Sequence, residues 1–141
     1  MCLSDDPLPS CRLIDLEVKG DERGKLVALE ADATVPFPVR RAYYVFATQP
    51  GVARGFHAHR RLKQLAVCVA GSCRMLLDDG ADQGSVLLDN PAKALLIPPM
   101  VWHEVHDFSP DCVLLVLADD HYYEADYIRS VEEFRALAAN G

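Results

Sequence analysis

The stretch RGFHAHRRLKQLAVCVAG, residues Arg54–Gly71, decides how this sequence is interpreted. It carries His57 and His59, one residue apart, in a chain that has only five histidines. In a β-strand, residues i and i+2 point to the same face, so the two imidazoles would stand side by side. Two ionisable rings on one inward face are costly to bury without a purpose. The pair therefore indicates a site for a metal ion or a substrate.

The segments around this stretch have the pattern of short strands between turns. Turn residues (Gly, Pro, Asp and Asn) separate them, as in KGDERG and TQPG. Strands of this length and spacing predict an all-β sandwich or barrel. The predicted strands are RLIDLEV, KLVALE, RAYYVFA, the histidine stretch, QLAVCVAG, CRMLLDDG, SVLLD, AKALLIPP, VWHEVHDF and DCVLLVLA. Within them, Asp78-Asp79-Gly80 predicts a hairpin turn rather than a metal-binding carboxylate pair.

The C-terminal end departs from the strand pattern. Ser130 and Glu133 have the spacing of a capping box, and the segment VEEFRALAA predicts one short amphipathic helix. The length of 141 residues predicts a single domain over residues 1–141. We expect its ordered core to span about residues 11–136, after a short N-terminal tail.

Composition excludes several classes of function. The net charge of -7 argues against nonspecific nucleic-acid binding. No apolar run is long enough to span a bilayer, and the first residues, MCLSDDPLPS, are too polar for a signal peptide.

The five cysteines form no CxxC motif, and three of them lie in apolar runs, so we expect reduced, buried thiols in a cytoplasmic protein. The cysteines are Cys2, Cys11, Cys68, Cys73 and Cys112.

Two motifs with fixed spacing resemble those of the cupin barrels, which are G-x5-H-x-H-x4-E-x6-G and P-x-G-x2-H-x3-N. The first motif here is Gly51-x5-His57-x-His59-x4-Gln64-x6-Gly71, and the second is Pro98-x-Met100-x2-His103-x3-Asp107. The resemblance implies a jelly-roll barrel whose interior can hold a ligand. It agrees with the number of predicted strands.

Gln64 departs from the cupin pattern, because metal-binding cupins have a carboxylate at this position. Replacing it by an amide removes an anionic ligand, which divalent ions prefer. Three histidines can still hold zinc, so the function of a metal-dependent cupin enzyme stays open. We predict no metal and no other cofactor, and we interpret His57 and His59 as acid–base groups, since imidazole titrates near neutrality.

Longer strings resemble one narrower family, the sugar-nucleotide 3,4-ketoisomerases. The strings are RRAYYVF, GVARGFHAHRRLKQL, GSCRMLLDDG, VWHEVHDFSPDCVLLVLA and YYEADYIRSVEEF, and the resemblance covers about residues 11–136. It implies conversion of dTDP-4-keto-6-deoxyglucose to a dTDP-3-keto-6-deoxyhexose, on the way to amino sugars of the kind found in lipopolysaccharide O-antigens. It also implies a homodimer, in some members with exchanged N-terminal strands.

The resemblance implies roles for the two histidines of the HxH motif and for Tyr43 and His103. The reaction moves a carbonyl from C4 to C3 of the hexose through an enediol. His57 would be the base that takes the carbon proton, and His59 would carry a proton between the two oxygens with support from Tyr43. His103 would position the substrate or stabilise the enolate. Tyr44 should be a core residue, since it points to the face opposite Tyr43.

Five further residues are predicted to bind the substrate. Gln64 can donate a hydrogen bond to the enolate, where a carboxylate would repel it. Arg41 and Arg54 suit the diphosphate, because a guanidinium binds phosphate oxygens in a bidentate manner. Arg23 could reach a neighbouring active site if strands are exchanged between subunits. Trp102 could stack on the base or serve in the core.

Two more functions stay open besides that of a metal-dependent cupin enzyme. The first is that of a dTDP-sugar 3,5-epimerase, in which the carbonyl stays at C4. The second is that of a non-catalytic cupin, which binds a sugar and signals through a partner protein.

Overall fold

The computed structural model describes residues 7–140, which form twelve β-strands and one α-helix. The predicted all-β fold with a C-terminal helix is confirmed. The strands are β1 (Leu13–Asp15), β2 (Lys19–Asp21), β3 (Gly24–Leu26), β4 (Arg41–Val45), β5 (Arg54–His59), β6 (Gln64–Ala70), β7 (Cys73–Asp78), β8 (Gln83–Leu88), β9 (Lys93–Ile97), β10 (Trp102–His106), β11 (Val113–Ala118) and β12 (Tyr127–Ile128); the helix is α1 (Val131–Asn140).

Ten strands form two antiparallel sheets, in the orders β1-β9-β6-β11-β4 and β12-β5-β10-β7-β8. The main apolar core draws its side chains from both sheets and so lies between them. This is a jelly-roll arrangement of two facing sheets. Within residues 7–140 the two sheets are separate hydrogen-bonded ladders rather than one closed barrel.

The N-terminal part differs from the predicted strand pattern. The segment predicted as a turn, KGDERG, is instead the centre of a two-stranded hairpin formed by β2 and β3. This hairpin is exposed along both strands and pairs with neither large sheet. Leu8, which precedes β1, is buried in the main apolar core. Residues 1–6 of the predicted tail, with Cys2, lie outside the described residues.

Four positions of the two cupin-like motifs have left-handed backbone. Gly51 and Gly71 have φ of 73° and 67°, and Met100 and Asp107 have φ of 62° and 55°. The left-handed region is open to glycine and is visited by Asn and Asp, which explains why the motif has G and N there. Met100 keeps the backbone shape that the motif glycine normally provides. The spacing of the two motifs therefore reflects the positions of turns as well as the positions of ligand-binding residues.

The turn between β7 and β8 forms at the predicted place. Asp78 Oδ1 accepts the N–H of Gly80 at 2.7 Å, and Asp79 Oδ1 accepts those of Ala81 and Asp82 at 2.8 Å. Both carboxylates therefore stabilise the turn, as the hairpin interpretation expects.

The helix α1 begins after Ser130, whose Oγ accepts the N–H of Glu133 at 3.2 Å. Only this half of the predicted capping box forms, because the Glu133 carboxylate contacts Arg60 at 3.1 Å instead. Phe134 is buried against Trp102, and this contact fixes the helix on the outer side of the sheet that contains β5 and β10. No helix within residues 7–140 has the length and apolar character needed to cross a membrane.

The prediction for Tyr44 is wrong. Its side chain is 64% exposed, next to the equally exposed Phe46. Strand β4 is the edge of its sheet, and no element of the described chain covers its outer face. The alternation of side chains along a strand correctly places Tyr44 on the opposite face from Tyr43. It does not show which face of the sheet other elements of the protein cover.

Candidate active site

A β-bulge aims His57 into the space between the sheets. His57 lies opposite His103 of β10, and Gly55 lies opposite Glu104, so Phe56 is the extra residue of β5. Gly55 and Phe56 have φ of 91° and 60°. A Cβ on Gly55 would lie 3.1 Å from the carbonyl oxygen of His103, which is why glycine is required there. Bulges of this kind often redirect a side chain beside an active site.

Three imidazoles meet in this space. The ring centroid of His57 lies 5.0 Å from that of His59 and 4.6 Å from that of His103. His57 and His103 line an interior cavity of about 110 Å³, and His59 lies behind His57 without lining it. The cavity is lined by Tyr43, Val45, Arg54, Gly55, His57, Gln64, Ala66, Met75, Ile97, His103, Val105, Phe108, Leu114 and Val116. The predicted catalytic and enolate-binding residues thus come together at one end of the jelly roll.

His59 is oriented by a carboxylate from a distant part of the chain. Its Nδ1 lies 3.0 Å from Oδ2 of Asp126, whose side chain is 16% exposed. A carboxylate can only accept a hydrogen bond, so Nδ1 of His59 carries the proton and Nε2 carries the lone pair. That Nε2 is buried and has no hydrogen-bond partner within residues 7–140. Asp126 is held in turn by the backbone N–H of Arg61, which it accepts at 2.8 Å.

The remaining two imidazoles differ in their partners. Nδ1 of His103 donates to the carbonyl oxygen of Val101 at 3.2 Å, so its Nε2 is an acceptor. Neither ring nitrogen of His57 has a hydrogen-bond partner in the described part of the chain. A buried polar atom without a partner costs free energy, and active sites are where such atoms are retained for a ligand.

Burial keeps all three imidazoles neutral near pH 7. Desolvation lowers the pKa of His57 below its ordinary value. It lowers the pKa of His59 to about 4 and that of His103 to about 3, and repulsion from His57 lowers both further. A neutral imidazole can accept a proton, so the site is set up for base catalysis.

Tyr43 and Gln64 form a hydrogen-bonded pair at the cavity wall. Nε2 of Gln64 donates to Oη of Tyr43 at 2.9 Å, and the Gln64 side chain is 1% exposed. Because Oη accepts this bond, its own proton remains available to a ligand. Burial raises the pKa of Tyr43, which keeps the phenol protonated. Gln64 therefore acts on the cavity in part through Tyr43.

The three predicted arginines lie in different environments. Arg54 lines the cavity. Arg41 shares the face of Tyr43 as predicted, with its Cζ 5.0 Å from that ring. Arg23 lies at the exposed tip of the β2–β3 hairpin, where it pairs with Asp21 at 2.7 Å, and it does not line the cavity of its own chain.

Trp102 lies in the core and not in the cavity. It precedes His103 on β10, so it points to the opposite face of the strand. Its ring packs 6.0 Å from that of Phe134, and its Nε1 donates to Glu104 at 2.9 Å. Of the two roles predicted for Trp102, the core role fits this position, and stacking on a ligand in the cavity does not.

Sequence reasoning missed Asp126 and Tyr127 as site residues. The Tyr127 ring lies 4.9 Å from that of His57 and 4.4 Å from that of His59, and Arg129 covers its other side with Cζ at 4.3 Å. These residues reach the site because β12 pairs with β5, placing Tyr127 opposite His59. The string DYIR was the available signal, but no spacing rule links it to a histidine 67 residues away.

The three histidines also provide part of the ligand set that a metal site requires. One ligand atom from each of His57, His59 and His103 lies within 4.8 Å of the others. Ligand type and spacing fit a three-histidine zinc site, and Asp126 stands where an outer carboxylate often orients such a ligand. The carboxylate of metal-binding cupins is not supplied, because Gln64 stands in its place and bonds to Tyr43.

A larger cavity of about 550 Å³ lies on the outer side of Asp126. It is lined by Arg60, Arg61, Leu62, Asp119, Asp120, His121, Tyr123, Ala125 and Asp126. None of the three convergent histidines lines it. We assign the chemistry to the smaller cavity because His57, whose two ring nitrogens have no partner within residues 7–140, lines it.

Two facing antiparallel sheets, with an HxH strand paired to a strand that carries a third histidine beside an interior cavity, define a cupin-type small-molecule site. Residues 9–139 match the model of the FdtA family, described as WxcM-like, C-terminal. The chain belongs to this family.

Characterised relatives share the fold and much of the sequence. The chain is 51% identical over 119 residues to TDP-4-oxo-6-deoxy-alpha-D-glucose-3,4-oxoisomerase of Aneurinibacillus thermoaerophilus, covering 84% of this chain and 86% of that protein. It matches the TDP-quinovose 3,4-ketoisomerase WlaRB of Campylobacter jejuni with 40% identity and a TM-score of 0.88, over 92% and 99% of the two chains.

A third match has a bound sugar nucleotide. It is a mutant of the 3,4-ketoisomerase QdtA of Thermoanaerobacterium thermosaccharolyticum in complex with TDP-4-keto-6-deoxyglucose. The identity is 34% and the TM-score is 0.92, over 95% of this chain and 97% of that one.

Proposed function

We propose that this chain is a sugar-nucleotide 3,4-ketoisomerase that converts dTDP-4-keto-6-deoxyglucose to a dTDP-3-keto-6-deoxyhexose. One observation carries the proposal. His57 has both ring nitrogens unpartnered within residues 7–140, beside a His59 whose free Nε2 is presented by Asp126. The family relationship and the 51% identical 3,4-oxoisomerase support the same reaction.

His57 is the base for the carbon proton. It removes the proton from C3, and the electrons of the C–H bond shift so that the C4 carbonyl oxygen becomes an enolate oxygen. The imidazolium then returns a proton to C4. No electrons leave the sugar, so the C4 ketone is reduced while the C3 alcohol is oxidised to the new ketone. The low pKa that burial gives His57 keeps the base neutral, and ready, near pH 7.

The oxygens are served by neighbouring side chains. Nε2 of His59 accepts the proton of the C3 hydroxyl and delivers it to the C4 oxygen, while Nδ1–H stays bonded to Asp126. Tyr43 donates a hydrogen bond toward the C4 oxygen and keeps its proton, because its own oxygen already accepts from Gln64. Nε2 of His103 is an acceptor, so it positions a sugar hydroxyl rather than stabilising an oxyanion.

The scale of these effects suits the reaction. General-base catalysis supplies roughly 10²–10⁴-fold, and a preorganised donor to an oxyanion about 10²–10³-fold more. A hydrogen alpha to a ketone needs both kinds of help. The His57 base and the Tyr43 donor, supported by Gln64, provide one of each.

The volume of the cavity limits what enters it. About 110 Å³ is well below the roughly 300–1,000 Å³ of pockets that hold a drug-sized ligand, so the cavity takes the reacting edge of a hexose rather than a whole sugar nucleotide. The diphosphate must therefore lie toward the rim. Arg54 lines the cavity and Arg41 lies over Tyr43, and we assign both to the diphosphate.

We further propose a homodimer formed through the β4 face. Strand β4 is a sheet edge; Tyr44 projects from it and Phe46 directly follows it, each with more than half of its surface exposed. An exposed apolar edge of this kind is typical of an interface. The β2–β3 hairpin, which pairs with neither large sheet of its own chain, could then place Arg23 at the partner's site. Light scattering after size exclusion gives the mass that tests this proposal.

The cytoplasm is the compartment that we propose. The four described cysteines are free, and the Sγ atoms of Cys68 and Cys112 lie 3.7 Å apart without a bond between them. Close thiols that stay reduced are typical of a reducing compartment.

The three-histidine cluster supports a second candidate, a metal-dependent cupin enzyme. In that case His57, His59 and His103 would hold the ion, which would act as a Lewis acid on the substrate oxygens. The two candidates differ in their response to chelation and to added metal.

The deciding experiment is proton NMR of dTDP-4-keto-6-deoxyglucose with chelator-treated enzyme in D2O. We expect the carbonyl to move to C3 and a new hydrogen to appear at C4. Deuterium entering at C3 and C5 with the ketone still at C4 would establish an epimerase instead. No reaction until metal is added would favour the metal-dependent candidate, and binding without turnover would favour a non-catalytic sugar-binding protein.

A further inference from the structure

Three buried cysteines form a second cluster that the proposed reaction does not use. Cys68 ends the buried part of β6, Cys73 begins β7, and Cys112 directly precedes β11. The Sγ atoms of all three lie within 4.8 Å of one another, and those of Cys68 and Cys112 are 3.7 Å apart. The three thiols come from both sheets, so only the folded chain brings them together.

The spacing of the sulfur atoms is close to that of ligands around one ion. For metal–sulfur bonds of about 2.3 Å, neighbouring sulfurs lie roughly 3.3–4.0 Å apart, depending on the bond angle. The 3.7 Å pair falls inside this range. The third sulfur needs to move by at most about 1 Å to complete a three-sulfur site.

The apolar surroundings of the cluster favour an ion whose charge cancels that of three thiolates. The three cysteines belong to the main apolar core, together with Met75, Leu114 and Val116. Three thiolates around a monovalent or divalent ion would leave net negative charge in this core, which is costly. Three thiolates around a trivalent ion leave none.

We propose that Cys68, Cys73 and Cys112 form a buried trithiol site for a thiophilic trivalent ion, with arsenite as the probe. The exchange is As(OH)3 + 3 RSH → As(SR)3 + 3 H2O. Three As–O bonds and three S–H bonds break, three As–S bonds form, and each thiol proton leaves in water. No oxidant is needed and no charge is buried.

The cysteine cluster lies next to the active-site cavity. Ala66, Met75 and Leu114 line that cavity, and each is two residues from one of the three cysteines. A bound ion would tie β6, β7 and the start of β11 together at this level. The turn before β7 and the turn before β11 are joined by a hydrogen bond, in which the N–H of Ser72 donates to Ser109 Oγ at 2.8 Å. An ion therefore reaches the buried thiols when the chain folds or when these two turns separate.

The test uses the full chain refolded with arsenite and then dialysed. We expect native mass spectrometry to show one arsenic per chain with the loss of three hydrogens, and we expect the melting temperature to rise, since the ion binds the folded state. Cys73→Ala and Cys112→Ala should each lose the dialysis-resistant arsenic. Cys11→Ala, which removes a buried thiol outside the cluster, should keep it.

Arsenic X-ray absorption on the wild-type protein counts the sulfur neighbours and needs no variant to fold. Three sulfur neighbours would support the site. No retained arsenic, two sulfur neighbours only, or equal loss in Cys11→Ala would overturn it. The result is independent of the proposed isomerase reaction, because none of these readouts measures turnover.

Discussion

Nδ1 of His59 lies 3.0 Å from Oδ2 of Asp126, although 67 residues of sequence separate them. This contact fixes the tautomer of a buried imidazole and leaves its Nε2 for a ligand. A carboxylate behind a histidine is a common way to orient a proton-transfer group. In this chain the carboxylate also lines the outer cavity, so it lies between the site and the surface.

Asp126→Asn should lower kcat by about 10–100-fold with little change in KM. An amide can present an N–H to Nδ1 of His59 and so invert the tautomer, which removes the lone pair from Nε2. Steady-state kinetics give the kcat and KM values, and 15N NMR of the His59 ring reports the tautomer. Asp120→Asn, which changes an exposed carboxylate of the same outer cavity, is the control. An unchanged tautomer together with unchanged kcat would show that Asp126 does not position His59.

His57→Asn should reduce isomerisation by at least about 10²-fold, the lower range for loss of a general base. Exchange of the C3 hydrogen in D2O should stop as well, because His57 is the only imidazole of the described residues whose two ring nitrogens are both buried and unpartnered. His121→Asn removes an exposed histidine and should leave both rates unchanged. Near wild-type exchange in His57→Asn would assign the carbon base to another group.

Gln64→Glu should lower turnover by about 10²-fold, the scale of one lost oxyanion donor. A carboxylate would accept the Tyr43 proton instead of donating to its oxygen, and its charge would repel an enolate. The same change completes the set of three histidines and one carboxylate, so metal content after purification should rise. Gln49→Glu on the surface is the control for the added charge. Higher activity together with bound metal would favour the metal-dependent candidate.

The stability of the protein should fall as the pH drops below about 6.5. Burial lowers the pKa of His57, His59 and His103 in the folded state, with His59 at about 4 and His103 at about 3. Above pH 6.5 neither the folded nor the unfolded histidines bind protons, so they add no pH dependence. Between about 6.5 and 4 the unfolded chain binds protons that the folded chain does not, which lowers the free energy of unfolding.

Urea unfolding at pH steps from about 7.5 down to about 5 measures this slope, which can reach about 1.4 kcal/mol per pH unit for each histidine. His103→Gln should flatten the slope, whereas His121→Asn should not. Equal stability at the two ends of this range would contradict neutral burial of the three imidazoles.

Arg54→Ala should raise KM by about tenfold or more with a smaller effect on kcat, since a charge-assisted hydrogen bond contributes roughly 1.5–3 kcal/mol. Arg41→Ala should act in the same direction. Arg12→Ala, on the exposed surface, should leave KM unchanged. Inhibition by dTDP provides a second measure of nucleotide affinity, and unchanged values in both Arg54→Ala and Arg41→Ala would remove these residues from the diphosphate site.

Outside the N-terminal segment, the local sequence determined the strands, the jelly-roll class and the inward-facing histidines. Two-residue alternation places His57 and His59 on one face whatever the partner strand is. The motif spacing also encodes backbone shape, since Gly51, Gly71, Met100 and Asp107 all have left-handed φ. Short-range sterics govern these features, and for that reason they can be predicted from neighbouring residues alone.

Tertiary structure decided the rest, because it depends on which distant segments meet. Asp126 and Tyr127 join the site only through the pairing of β12 with β5. Tyr44 is exposed because β4 is an edge strand, and Trp102 faces α1 rather than the cavity. The three cysteines converge only when the two sheets pack. Sequence periodicity fixes the direction of a side chain relative to its own strand, whereas long-range pairing and packing decide what that side chain meets.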